Sequence, residues 1–465
     1  MKRTSRRRWR RRSTAKCSCR RRNSAKRRSA RRRSTSYREG LIAAMRRYLP
    51  AQFFSRWRLR SGVCWTPQRL VWMALLMAWS AEQSLRERFD AVRDLVGGLF
   101  PWWRLGETYT GWSVALASWS GVLKPAVTRR LQRQMQERAG QHWRRERWCA
   151  FAADGSRVEC PRTAANEAAL GCAGRKRTAP QLYVTTLWHM GLGLPWDYRI
   201  GPGTSSERGH LAEMLGDLPA GSLLVADAGF VGYELCARIL TAGHSFLLRV
   251  GANVHLLERL GYAVREGRST VYLWPREQQD RPPLVLRLIV LRQGRKKMYL
   301  LTNVHDEAAL SAETAALLYE MRWGVEVFYR SCKQTLQRRK MLSHTPEPAQ
   351  WELTWTILGM WLLGVMSVEA ILARGGDPLA WSVALARKQV RQAMRRALGG
   401  ARCEGSLQDR LGQATHDGYS RQGSKKARNW PHKKREKPPG APKITVATPQ
   451  QVRCAQQLQH EKVAA

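Results

Sequence analysis

Two aspartates in this strongly basic chain stand directly after predicted strands. The sequence has 81 Lys and Arg against 35 Asp and Glu, a formal net charge of +46, so an acid among apolar residues is informative. Asp154 follows the apolar run 148–153, and Asp227 follows the apolar run 223–226. Each is followed by a small residue, which leaves room for a ligand or a metal ion to approach. Either aspartate alone is weak evidence, because an aspartate and a glycine after a strand usually form only a turn.

A third carboxylate lies on a predicted helix, beside groups that bind phosphate well. At about 100° per residue, the side chains of Tyr319, Arg322, Glu326 and Lys333 fall within an arc of about 60°. One face of the helix therefore presents a carboxylate, two cations and a phenol. The alternative interpretation is an ordinary solvent-facing surface with a Glu–Arg pair, and the helix taken alone leaves both interpretations open.

The three elements together resemble the signature of a known family. Tyr-x2-Arg-x3-Glu-x6-Lys over residues 319–333, placed after Asp-Gly-Ser at 154–156 and Asp-Ala-Gly-Phe at 227–230, resembles the pattern of DDE transposases of the insertion-sequence-4-like family. The segment Ser-Ser-Glu-Arg at 205–208 is also similar to that family. The resemblance extends over residues 146–345 and, more weakly, over the helical segment before them.

The resemblance implies a metal-dependent catalytic centre. In it, Asp154, Asp227 and Glu326 bind two divalent ions, Mg²⁺ or Mn²⁺, for which carboxylate oxygens are suitable ligands. Two such ions, roughly 3.5–4 Å apart, activate water, orient an in-line attack on a phosphodiester and stabilise the leaving oxygen. They also keep three neighbouring carboxylates ionised despite their mutual repulsion.

The same resemblance implies that four residues of the helix bind DNA. Tyr319, Arg322 and Lys333 grip phosphates beside the cut, Arg322 through its planar fork and Lys333 as a point charge. They hold the transposon end during hairpin formation, in which a base is flipped out of the stack. Trp323 would stack on that base, although a tryptophan in a helix more often belongs to the core.

The elements that must position these residues predict an α/β fold. Helical patterns at 205–218 and 232–242 alternate with apolar runs typical of strands, at 148–153, 158–160, 181–190, 223–226 and 245–250. Two further apolar runs between residues 284 and 303 predict a β-rich insertion. The resemblance adds that the core is ribonuclease-H-like and that the insertion separates the second aspartate from the glutamate.

These patterns divide the chain into five parts. They are a basic disordered arm (1–39), a helical DNA-binding region (40–145), the catalytic domain (146–345, with the insertion at about 251–310), a helical region (346–400) and a mostly disordered basic tail (401–465). The first 38 residues carry 19 Lys and Arg and no acid. Such a segment buries too little apolar surface to fold. We interpret the arm as nucleic-acid-binding, with a merely solvated tail or a misassigned start codon as the alternatives.

The cysteines and the apolar segments favour a cytoplasmic protein without a membrane partner. The ten cysteines include no Cys-x2-Cys pair, so the sequence indicates neither a zinc site nor a disulfide framework. No apolar segment follows the basic N-terminus as it would in a signal peptide. The stretch 353–372 is about long enough to span a membrane, but it contains Glu369, and we predict a buried core helix instead.

Two classes of function remain. The first is a transposase that binds the terminal inverted repeats of its element as a homodimer on paired ends, cuts DNA and joins the free ends to target DNA. The second is a non-catalytic basic DNA-binding protein, such as a decayed or domesticated descendant. Charge does not separate them, because counterion release drives DNA binding by both. The presence of Asp154, Asp227 and Glu326 favours the enzyme.

Overall fold

Helices and strands alternate in a mixed α/β fold. A computed structural model describes residues 34–59, 62–171, 179–263, 265–293, 296–416 and 440–464, which belong to one unit that begins at Ser34. The α-helices are α1 (Tyr37–Tyr48), α2 (Ala51–Phe54), α3 (Pro67–Trp79), α4 (Leu85–Leu99), α5 (Tyr109–Ala139), α6 (Ala164–Leu170), α7 (Glu207–Met214), α8 (Tyr233–Thr241), α9 (Ala312–Met321), α10 (Trp323–Arg330), α11 (Pro346–Leu372), α12 (Val383–Arg396), α13 (Leu407–Leu411) and α14 (Pro449–Ala464). The strands are β1 (Ser34–Ser36), β2 (Ala150–Glu159), β3 (Gln181–His189), β4 (Leu194–Pro202), β5 (Leu223–Ala226), β6 (Ser245–Val250), β7 (His255–Glu258), β8 (Thr270–Leu273), β9 (Leu284–Gln293), β10 (Lys296–Thr302), β11 (Arg402–Glu404) and β12 (Lys443–Val446).

Ten of these strands form one mixed sheet in the described part of the chain. Its order is β12-β7-β8-β9-β10-β6-β5-β2-β3-β4. β2, β5 and β6 are parallel neighbours, while β3 and β4 continue the sheet antiparallel from β2. All four residues of β5 are buried, which explains why this strand is an uninterrupted apolar run in the sequence.

The segment predicted as a β-rich insertion contains β7, β8, β9 and β10. These strands extend the same sheet, because β10 pairs antiparallel with β6 on one side and with β9 on the other. β8 then pairs with β9, and β7 with β8. The chain therefore leaves the central parallel strands after β6, builds the far half of the sheet, and returns through α9 and α10.

Local capping signals fix where several helices begin. Thr66 accepts a hydrogen bond from the N–H of Arg69 at 3.4 Å, and Pro67 occupies the first position of α3. α1 and α4 each begin with a capping box, in which a serine and a glutamate three residues later satisfy each other's backbone N–H groups.

The most apolar helix, α11, lies in the interior against α3 and α5. It is the one helix of the described residues that is long and apolar enough to cross a membrane, and 94% of its most apolar stretch is buried inside the protein. The prediction of a buried core helix is confirmed. Its carboxylate, Glu369, accepts a hydrogen bond from the Tyr48 hydroxyl at 2.7 Å and pairs with Arg47 and, at 3.5 Å, with Arg138. Buried charge in α11 is therefore matched by α1 and α5.

Two segments predicted to be disordered contain regular structure. The prediction of an arm extending to residue 39 is wrong for residues 34–39, which form β1 and the start of α1; residues 1–33 lie outside the described residues. The predicted tail contains β11, α13, β12 and α14, and only 417–439 and 465 lie outside the described residues. The few apolar side chains of these elements, such as Tyr37, Leu407 and Ala455, are buried by distant partners. Composition averaged over a segment does not reveal such contacts.

Candidate active site

Asp154 lies on β2, and Asp227 directly follows β5, the parallel neighbour of β2. In the register of β2 and β5, Ala152 stands opposite Val225, and each aspartate is two residues farther along. Neighbouring strands are about 4.8 Å apart, so both aspartates reach the same edge of this strand pair. The prediction that Asp154 ends a strand is wrong, because β2 stays paired with β3 as far as Glu159; only its pairing with β5 ends before the aspartate.

Hydrogen bonds fix the backbone around both aspartates. Asp227 Oδ1 accepts the N–H of Gly229 at 2.9 Å, which closes the turn after β5. The carbonyl oxygen of Asp154 accepts the hydroxyl of Tyr329 at 2.8 Å, and the same hydroxyl reaches a carbonyl of β3. Tyr329 is buried on α10. The helix that carries Glu326 therefore docks directly on the strand that carries Asp154.

Glu326 is held by an arginine at a break in the helix. The prediction of one helix over residues 319–333 is wrong, because α9 ends and α10 begins around Arg322. Arg322 Nη2 donates to Glu326 Oε1 at 2.9 Å. Its guanidinium also lies 5.5 Å from the centre of the Tyr319 ring, at cation–π distance. Arginine, glutamate and tyrosine thus form one connected group, as the spacing predicts.

Lys333 reaches the strand by a different route. α10 is followed by a π-helical turn over Ser331–Thr335, so Lys333 does not continue the regular face of the helix. Its Nζ donates to Ser156 Oγ at 2.8 Å, two residues beyond Asp154 on β2. Burial lowers the pKa of the Lys333 amine. The structure therefore brings this cation to the carboxylates, although not as part of one straight helix.

The pKa of Asp154 is raised to about 7. Burial is the main cause, and the charges of Asp227 and Glu326 raise the pKa further. The positive charge of Arg322 and a backbone hydrogen bond at Gly155 act in the opposite direction. The three predicted acids therefore share one electrostatic environment. Carboxyl groups with such costly charges are typical of catalytic centres.

The three carboxylates are suitable ligands for a hard divalent cation, but their side chains are not arranged around one common point. Carboxylate oxygens are the ligands that Mg²⁺ and Mn²⁺ prefer, and a cation would offset the repulsion that raises the pKa of Asp154. Across the described residues, no group of three or more His, Cys, Asp or Glu side chains is arranged to hold a metal ion. Glu326 is engaged by Arg322 instead. To bind an ion together with the two aspartates, Glu326 must either turn away from Arg322 or bind the ion and Arg322 at the same time.

A fourth carboxylate, which was not predicted as part of the site, lies against the segments that carry Asp154 and Asp227. Glu207 is the first residue of α7, and its Oε2 accepts the hydroxyl of Tyr183 at 2.6 Å. A Cβ added at Gly229 would lie 2.6 Å from Glu207 Oε1, and one added at Gly155 would collide with the Tyr183 hydroxyl. The glycines near the aspartates therefore make room for this Glu–Tyr pair. The signal in the sequence was the segment 205–208, similar to the family but without an assigned partner.

Tyr319 and Trp323 differ in exposure. Tyr319 is 9% exposed and packs into the core, whereas Trp323 is 57% exposed. The expectation that a tryptophan here more often belongs to the core is wrong, because Trp323 opens α10 just after the break at Arg322 and faces solvent. Its ring surface is therefore accessible to a ligand.

Comparison with known proteins places these features in a family. Residues 131–362 match the family described as Transposase DDE domain. The transposase InsG for insertion sequence element IS4, from Escherichia coli (strain K12), is 24% identical over 343 residues, which are 68% of this chain and 74% of the relative. A solved piggyBac transposase synaptic complex with hairpin DNA aligns with a TM-score of 0.42 and 10% identity, over 83% of this chain and 87% of that chain. The family match and the InsG relative together show that this chain belongs to the DDE-type insertion-sequence transposases of the insertion-sequence-4-like family.

Proposed function

We propose that this transposase binds the terminal inverted repeats of its insertion sequence, cuts DNA there and transfers the strand, with Asp154, Asp227 and Glu326 as its catalytic carboxylates. The observation that carries the proposal is the position of Asp154 and Asp227 at one level of two parallel strands, within electrostatic reach of Glu326. The order β4-β3-β2-β5-β6, three antiparallel strands followed by two parallel ones, supports a ribonuclease-H-like core.

The carboxylates are the proposed ligands of two divalent ions. DDE transposases generally use divalent metal ions. Bound here, Mg²⁺ or Mn²⁺ would supply Lewis-acid activation of the attacking oxygen and of the leaving oxygen. The Gly229 N–H holds the Asp227 carboxylate through Oδ1, and the Tyr329 hydroxyl holds the backbone carbonyl of Asp154, so both aspartates are preorganised. Glu326 lies on a helix that the Tyr329 hydroxyl ties to β2, so it can complete the set by leaving Arg322.

The cations beside these carboxylates are the proposed phosphate contacts. Arg322 uses one N–H for Glu326, and its other donors suit the oxygens of a phosphate. Lys333 adds a second positive charge on the β2 side. Tyr319 is buried and its ring contacts the Arg322 guanidinium, so we propose that it acts in DNA binding by positioning Arg322. The exposed ring of Trp323 is available to stack on a flipped base.

The proposed partners are the transposon ends and the target DNA, with two copies of the chain on paired ends. The net charge of +46 supports a polyanionic partner, because binding releases counterions from DNA. We place this activity in the cytoplasm, at the nucleoid, where the element's DNA lies.

Cleavage of DNA carrying the inverted repeats that flank this gene tests the proposal. We expect wild type to cut at the repeat boundary only with Mg²⁺ or Mn²⁺. Asp227→Asn is expected to bind the ends and not cut them, because it loses a metal ligand and keeps the cations. Asp90→Asn, an exposed carboxylate on α4, is the matched control and should cut normally.

Normal cutting by Asp227→Asn would overturn the assigned site. Tight binding without cutting by wild type, with either metal, would favour the non-catalytic DNA-binding class instead.

A further inference from the structure

A pocket of about 370 Å³ lies in the helical N-terminal region, on elements that contribute nothing to the carboxylate site. It is formed where α1, α2 and α3 meet the segment that follows α4. Its volume is in the range of small-ligand sites. Four aromatic side chains line it: Trp72, Phe100, Trp102 and Trp103.

The four aromatic rings lie at different depths, from the interior end of the pocket to its mouth. Phe100 and Trp103 are stacked, with centroids 4.4 Å apart and planes at 17°. Trp72 packs against Phe100 at 5.4 Å and is 1% exposed, so it lines the interior end. Trp102 lies 5.7 Å from Phe100 and is 68% exposed, so it lines the mouth. A tryptophan this exposed offers a stacking surface rather than support for the core.

The interior end of the pocket carries an unsatisfied donor. The indole Nε1 of Trp72 is buried and has no hydrogen-bond partner among the described residues. A buried polar group without a partner is costly, so most such groups are paired. Because an indole N–H can only donate, the missing partner is an acceptor at this position.

The remaining polar groups of the pocket are also uncommitted. The side-chain amides of Gln52 and Gln68, which both donate and accept, form no hydrogen bond within the described part of the chain. Arg46 lies with its guanidinium 6.0 Å from the Phe100 ring centre, and it makes no ion pair with any described residue. The pocket therefore combines flat apolar walls, mixed hydrogen-bonding groups and one cation.

We propose that this pocket binds a single unpaired base of the DNA on which the transposase acts. The inference rests on the proposed function, which supplies DNA as the partner. A nucleobase is planar, carries acceptors and donors on its edge, and is attached to a phosphate. The base lies against Trp102 and Phe100, its edge meets the glutamine amides, and the adjoining phosphate lies near Arg46.

Abasic substitution along the end DNA tests this site together with Trp102→Ala. Each nucleotide of the end sequence is replaced in turn by an abasic one, and the Kd is measured for wild type and variant at fixed salt. For wild type we expect a position, separate from that of any base stacked on Trp323, at which base removal weakens binding by about 5- to 150-fold, the range for loss of one base–aromatic stack. Trp102→Ala should weaken binding of intact DNA similarly and show no further loss with DNA abasic at that position.

Control variants separate stacking from general damage. Trp102 is exposed, so its replacement leaves the core intact. Trp102→Phe keeps a stacking ring and should retain near wild-type affinity. Val114→Ala, at a side chain 66% exposed that does not line the pocket, should change nothing.

The outcomes distinguish this inference from the function on which it rests. If wild type binds and cuts its ends but Trp102→Ala binds like wild type, or if the two losses add at every position, the base site is overturned and the transposase proposal stands. If wild type neither binds nor cuts the ends, the proposed function fails, and this site fails with it.

Discussion

Replacing Asp154 by asparagine is expected to stabilise the metal-free protein, and increasingly so as the pH rises. The pKa of Asp154 is about 7 in the folded protein, mainly because of burial, against about 3.9 in an unfolded chain. Below pH ~4 both states keep the proton, so this group does not affect the free energy of unfolding. Between pH ~4 and 7 the folded state binds more protons than the unfolded state, so stability falls as the pH rises. Above pH 7 the cost is constant.

The size of the effect follows from the two pKa values. A difference of about three pKa units corresponds to ~4 kcal/mol at pH 8 and to ~2 kcal/mol at pH 5.5. Asparagine carries no charge at any of these pH values, so Asp154→Asn should exceed wild type in unfolding free energy by up to these amounts. At pH 4 the two proteins should be nearly equal.

Urea unfolding in EDTA, followed by tryptophan fluorescence at pH 4, 5.5 and 8, measures this difference. Asp90→Asn removes one negative charge from an exposed position on α4 and controls for the overall charge. Mg²⁺ at pH 8 should then raise the stability of wild type and leave that of Asp154→Asn nearly unchanged, because a bound ion stabilises only the state that binds it. A gain for Asp154→Asn that does not grow with pH, or one equal to that of the control, would refute the reasoning.

Three further predictions concern other parts of the chain. Gly229→Ala should lower the cleavage rate at least tenfold, because its Cβ would lie 2.6 Å from a Glu207 oxygen. Gly216→Ala, at a glycine with nothing within 4 Å of the added Cβ, should cut like wild type. Equal cleavage rates for the two variants would contradict the role given to the packing at Gly229. Deleting residues 2–33, which hold 18 Lys and Arg, should flatten the dependence of log Kd for non-specific DNA on log salt, and an unchanged slope would show that the arm does not contact DNA. Glu369→Ala should lower the free energy of unfolding by about 2 kcal/mol in urea melts, mainly because it leaves the buried Tyr48 hydroxyl without its acceptor. The half-exposed Arg47 and Arg138 lose an ion-pair partner at little further cost, and a total loss below ~0.5 kcal/mol would contradict this.

The residue types of the site could be predicted from the sequence, but its detailed geometry could not. The apolar runs before Asp154 and Asp227 are strands, and parallel pairing aligns the two aspartates. That β2 continues past Asp154 depends on its antiparallel partner β3, which local sequence does not reveal. The break at Arg322 and the π-helical turn at Ser331–Thr335 likewise depend on how the helix docks, through Tyr329, on the strand.

Long-range contacts also account for what sequence reasoning missed. Glu207 is 24 residues from its partner Tyr183, and neither residue type is informative alone. The chain termini were misjudged for the same reason. Tyr37 is buried beneath Arg396 and Arg410, whose guanidiniums lie 5.7 and 4.8 Å from its ring centre. A high count of basic residues along a segment suggests disorder, but here two of these arginines pack on the ring of Tyr37.

The short ladder between β1 and β11 joins two segments that are synthesised far apart in time. Ser34 pairs with Glu404, about 370 residues later. Closing a loop of that length costs entropy that two three-residue strands do not repay alone, so we expect the ladder to form only after α12 and α13 have docked on α1. During translation, α1 therefore lacks these packing partners until α12 and α13 have been synthesised. A truncated product that stops before residue 402 lacks β11, so its residues 34–36 have no strand with which to pair.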